Sequence, residues 1–114
     1  MKIFAAVLLL ALSATLVGCS SSQIAFMDIS PTPTATISRD TVTVHIGSDM
    51  RDSACFVRPK AKIEGQTICL VGHRTLREQS REFAVKLPAS MSPKSVTVVW
   101  RNPDESRVSI PITR

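Results

Sequence analysis

The chain has 114 residues, a length that suits a single small domain. Its formal net charge is +5, yet only 4% of residues are aromatic and none is tyrosine. That scarcity argues against the stacked-base platforms that grip single-stranded nucleic acid, so the excess positive charge suits a solvated face that aids solubility, or contact with another anionic partner.

Met1-Lys2 opens the chain with positive charge, Ile3 to Leu12 is an apolar run, and Ser13, Ala14 and Thr15 are small or weakly polar. This order is that of a secretory signal peptide. The run is well short of the roughly 20 apolar residues that a membrane-spanning helix needs. Leu16-Val17-Gly18-Cys19 then resembles the lipobox of bacterial lipoproteins. The resemblance covers about the first 20 residues and implies a cleaved leader at 1–18 and lipidation of Cys19. It also implies three acyl chains on the mature protein, enough for permanent attachment where a single chain binds only marginally. Ser20 stands where aspartate would resemble an inner-membrane retention signal. The expected location is therefore the outer membrane, lipid-anchored and facing the periplasm.

Residues 19–38 read as a tether. Ser20-Ser21-Ser22-Gln23 is linker-like, and Ser30-Pro31-Thr32-Pro33-Thr34 favours extended polyproline geometry. Stretched out, this segment would reach on the order of 60 Å. The island Ile24-Ala25-Phe26-Met27-Asp28-Ile29 is too apolar for a pure linker. It suits docking on the domain, pairing as an added strand, or contact with a partner, and docking is the expected outcome.

Residues 39–114 read as the domain. Thr41 to Ile46 alternates strictly, with Val42, Val44 and Ile46 on one side of a strand. Ala54 to Val57 and Thr67 to Val71 are further candidate strands, with a turn at Glu64-Gly65-Gln66 between them. Each of the two carries a cysteine. Export to an oxidising compartment, as the lipobox implies, predicts a disulfide between Cys55 and Cys69, worth about 3 kcal/mol to so small a domain. Thr75 and Glu78 have capping-box spacing, but the helical face is thin; a short loop or helical turn near 75–80 and a strand at 82–87 are expected. Ser95 to Arg101 and Arg107 to Ile112 flank Asn102-Pro103-Asp104-Glu105 as a hairpin, with Trp100 continuing the core alternation of Val96 and Val98. Pro111 should lie at a strand end or edge. The expected fold is all-β: a small immunoglobulin-like sandwich or similar small barrel of about six or seven strands.

No pattern for catalysis emerges. His45 and His73 are the two histidines; G-x-S-x-G, H-E-x-x-H and glycine-rich phosphate loops are missing, and no zinc or thioredoxin cysteine spacing occurs. Asp49 and Asp52 beside Arg51 make only a fragment of a calcium loop. No catalytic residue, metal or cofactor is assigned. Basic residues concentrate between positions 51 and 86, and Arg58, Lys60, Lys62, Arg74, Arg77 and Arg81 are the candidate partner-binding residues. The expected function is non-catalytic: a lipid-anchored envelope protein presenting a β-domain to a protein or to peptidoglycan. An accessory role in an envelope assembly falls within that expectation, and a nucleic-acid partner does not. The alternative is an inhibitor or immunity lipoprotein acting on a periplasmic or incoming enzyme.

Overall fold

The computed structural model describes residues 23–52 and 54–114. In chain order its strands are β1 (Gln23–Ile24), β2 (Ile29–Ser30), β3 (Thr34–Ser38), β4 (Thr41–His45), β5 (Ser48–Asp49), β6 (Phe56–Glu64), β7 (Thr67–Thr75), β8 (Glu82–Lys86), β9 (Thr97–Arg101), β10 (Arg107–Ser109) and β11 (Ile112–Thr113). A single 3-10 turn among the described residues, Phe26–Asp28, interrupts them. The protein is all-β, with sheets that curl toward a half-barrel.

Two sheets carry the fold. In the first, β7 pairs with β6 along its whole length, antiparallel. Its other edge is shared: β9 runs parallel to residues 67–70, and β1 pairs antiparallel with His73 and Gly72. β10 continues this sheet beyond β9. The second sheet has the order β11-β3-β4-β8, and β2 and β5 form a separate ribbon. From β7 the chain crosses to β8 in the second sheet and returns to β9, which is why β7 and β9 are parallel neighbours. A second change of sheet falls between β10 and β11, at Pro111. Its missing N–H is no loss there, and its carbonyl accepts a hydrogen bond from Ala35 at 2.9 Å.

Period-two alternation explains the core. Val42 and Val44 on β4 are fully buried, as are Ile68 and Leu70 on β7, and Val98 and Trp100 on β9 extend the buried face of that same sheet. Trp100 is the largest of these side chains, and its indole N–H donates to the Ile24 carbonyl at 3.0 Å. Gly72 lies directly under the indole: a Cβ there would collide with the six-membered ring. The glycine inside β7 is thus the space that Trp100 occupies. Gly65, at φ +60°, makes the β6–β7 turn in the left-handed region that glycine adopts without strain.

Two sequence-based expectations are corrected. The tether is expected to run to position 38, but the described part of it belongs to the domain. The docking expected of the 24–29 island does occur, with Ile24 and Ile29 buried, but the rest of the segment is not a spacer: Ala35 is fully buried, Pro33 is among the buried side chains, and β3 pairs with both β4 and β11. The alternating Ala35 and Ile37 outweigh the polyproline character of the Pro31–Pro33 stretch. Of the 19–38 segment, 19–22 lies outside the described residues.

The Cys55–Cys69 disulfide is also corrected, since both cysteines are free thiols. The tight turn at Gly65 fixes a register in which Cys69 faces Lys62 and Phe56 faces Thr75. Cys55, just before Phe56, is therefore on the order of 20 Å along the hairpin from Cys69, whereas bridged Cα atoms lie within about 7 Å. The short loop expected near 75–80 is present before β8, and there the Thr75 hydroxyl accepts from the Arg77 N–H at 3.2 Å.

Candidate basic groove

Alternation along β6 sends Phe56, Arg58, Lys60, Lys62 and Glu64 to the outer face of the first sheet, away from the core. Their cross-strand neighbours on β7 are Thr75, His73, Val71, Cys69 and Thr67. β9 sets Val99 beside Cys69, and β10 sets Arg107 opposite Arg101. Arg58, Lys60, Lys62, Arg101 and Arg107 therefore share this face with one acid, Glu64, at the described strand positions. Between them lies a shallow groove of about 210 Å³, with Cys69 and Val71 as its apolar floor and Lys60, Lys62, His73, Arg101 and the acid Glu64 around its rim.

The electrostatics of the face are uneven. Arg101 and Arg107 are directly opposed, an unfavourable placement for like charges. Arg107 escapes it by reaching across to Glu64, Nη1 to Oε2 at 3.1 Å, and that hydrogen bond raises its pKa above the ordinary arginine value. Glu64 is thereby committed at one end, while no salt bridge engages Lys60, Lys62 or Arg101 among the described residues. His73 reports the resulting field. Partial burial lowers its pKa below 6.5, and Lys60 and then Arg58 lower it further.

A pH dependence follows from His73. Its folded-state pKa is depressed, so on acidification the unfolded chain takes up this proton before the folded one does. Stability from this group is full above 6.5 and declines as pH falls from there toward the folded-state value. An NMR titration of the imidazole should give a midpoint below 6.5, and Lys60→Glu should move it upward. A midpoint unmoved by that substitution would mean that the cations do not set the field here.

Only three of the six candidate binding residues are brought together. Arg58, Lys60 and Lys62 are brought together on the outer face of β6. Arg74 belongs to the structure instead: its Nε donates to the Asp49 carboxylate at 2.7 Å, and Asp49 is only 2% exposed. The second Asp49 oxygen accepts from the Arg51 N–H at 3.0 Å, so both of its oxygens are engaged. Arg77 is exposed in the loop before β8, and Arg81 donates to the Ser48 hydroxyl at 3.2 Å. Cys19 lies outside the described residues.

His73, Arg101 and Arg107 are groove-side residues that sequence reasoning missed. The hairpin flanking residues 102–105 was the available signal, because pairing across it makes Arg101 and Arg107 neighbours. A second concavity, of about 320 Å³, lies at the other end of β6 between Met50, Cys55, Phe56 and Arg81. The Cys55 thiol there donates to the Asp52 carboxylate at 3.3 Å, which raises its pKa above 9.0 and makes it a poor nucleophile. His45 is on the second sheet, 3.7 Å from Glu82, away from His73. Among the described residues, no three His, Cys, Asp or Glu side chains group as a metal site. No protein family, curated protein or solved structure matches the chain.

Proposed function

We propose that this is a lipid-anchored, non-catalytic protein of the bacterial cell envelope whose basic groove binds an anionic partner, a protein or the cell wall. The observation that carries the reading is the grouping of Lys60, Lys62 and Arg101 around an apolar floor with the nearby carboxylate, Glu64, already paired to Arg107. Such a surface is arranged to attract and orient carboxylate or phosphate groups, and its apolar floor adds contact area once they are in place. The lipobox supports the location, since an anchored domain meets its partner at high local concentration.

In-cell photo-crosslinking tests this. A crosslinking residue at position 62, on the groove, should give discrete adducts with envelope material. The same residue at position 84, exposed on the outer face of the second sheet opposite Thr43, should give none. Equal labelling from both positions would contradict the assignment.

A further inference from the structure

We infer that the end of the domain bearing Met50, Phe56 and Leu76 rests on the lipid surface that holds the chain's own anchor; this inference depends on the lipidation of Cys19 proposed above. Four residue steps separate Cys19 from Gln23, the first residue of β1. Fully extended, they span at most about 14 Å. The domain therefore has no long spacer and must lie close to the membrane, with the end where Gln23 enters turned toward it.

That end is defined by register. Gln23 is opposite His73, two positions from Thr75, and Thr75 is opposite Phe56. Leu76 follows Thr75, and Met50 lines the same concavity as Phe56. Leu76 is 80% exposed, Met50 68% and Phe56 40%, an unusual concentration of large apolar side chains on a small surface. Two exposed apolar residues lie outside this group: Ile63, at 41%, near the opposite tip of the hairpin, and Met27, at 90%, on the 3-10 turn after β1. Arg51, Arg58 and Arg77 lie within two residues of the apolar group in sequence, with Asp52 and Glu78 among them, and Arg51 is paired with Asp28 at 3.2 Å. Apolar side chains with Arg58 and Arg77 beside them suit the headgroup boundary, where the aliphatic stems bury and the guanidinium groups meet lipid phosphates.

The orientation also serves the groove. Lys60 and Lys62 stand roughly 13 and 20 Å farther along β6 than Phe56, so the hairpin carries them away from the lipid and leaves them open to a partner.

Brominated-lipid quenching tests the orientation. The lipidated full chain is reconstituted in phosphatidylethanolamine and phosphatidylglycerol vesicles with brominated acyl chains, as F56W, L76W and I63W, each read against the background of the buried Trp100. The tryptophans at 56 and 76 should be quenched at least about twofold more than the one at 63. Equal quenching at the three positions, in protein that floats with the vesicles, would overturn the inference and leave the anchor intact. Protein that carries no lipid and fails to float would instead overturn the anchor, and this orientation with it.

Discussion

Replacing Trp100 by alanine should lower the thermal unfolding midpoint by at least about 15 °C, and in the extreme abolish a cooperative transition. The side chain is fully buried where β9 meets β7 and β1, and truncating a buried tryptophan costs about 3–5 kcal/mol. Small domains have about 5–15 kcal/mol in total. Two further losses follow from this site. The Ile24 carbonyl would lose its indole donor, although Ile24 is fully buried. The backbone at Gly72 would face a void, because the indole occupies the space that a side chain would have filled. Trp100→Phe separates the two effects: it restores most of the volume and leaves the carbonyl unpaired, at about 1–3 kcal/mol. Thermal melts followed by circular dichroism decide the matter. A Trp100→Ala variant melting within a few degrees of the parent would mean that the indole does not tie β7 and β9 to the N-terminal strand.

The second large effect concerns the anchor. Cys19→Ala should abolish incorporation of labelled palmitate and move the protein from the membrane to the soluble fraction. Each buried methylene contributes about 0.8 kcal/mol to membrane partitioning, so losing all the acyl chains removes far more than the exposed Met50, Phe56 and Leu76 side chains can replace. Those residues orient the domain on the surface; they do not hold it there. Label retained after the substitution would refute the lipobox reading, and a soluble parent protein would do the same.

The residues that alternate cleanly are legible from the sequence alone. Val42 and Val44 face the core as the pattern of β4 requires, and β8 falls within the expected 82–87. The turn at Gly65 and the burial of Trp100 are equally readable. These segments have one wet and one buried face, so their side chains encode the sheet directly.

What escapes sequence reasoning depends on pairing. Of β6, the expected strand at 54–57 covers only the first two residues, because Arg58-Pro59-Lys60-Ala61-Lys62 is polar and contains proline. As an edge strand it needs no hydrogen-bond donor on its free side, which admits Pro59 and leaves the charges in water. The basic cluster is visible as composition, but composition mixes Arg74, held by Asp49, with the groove residues. Only register sorts them, sending Arg74 to the Asp49 carboxylate and bringing Arg101 and Arg107 across from β9 and β10. The same register removes the expected disulfide, because strands that pair do not thereby align their cysteines. The N-terminal segment misleads for a related reason. Pro31 and Pro33 suggest a free extended chain, whereas β3 and the buried Ile24 complete the two sheets. Losing the long tether sharpens the functional proposal: with Cys19 lipidated as proposed, the domain would stand close to the membrane and the β6–β7 hairpin would do the projecting.

The most direct test of the groove as the binding surface is to repeat the position-62 crosslinking in cells with Lys60→Glu and Arg101→Glu combined. Both residues line the groove and neither enters a salt bridge among the described residues, so the reversals leave the fold's contacts in place. They replace two attractive charges by two repulsive ones at the point where the partner's anionic groups must sit, a change that should weaken binding by roughly tenfold or more. The predicted result is loss of the discrete adducts at unchanged protein level and unchanged membrane attachment. Adducts of undiminished intensity would contradict the central claim and place the partner elsewhere on the domain.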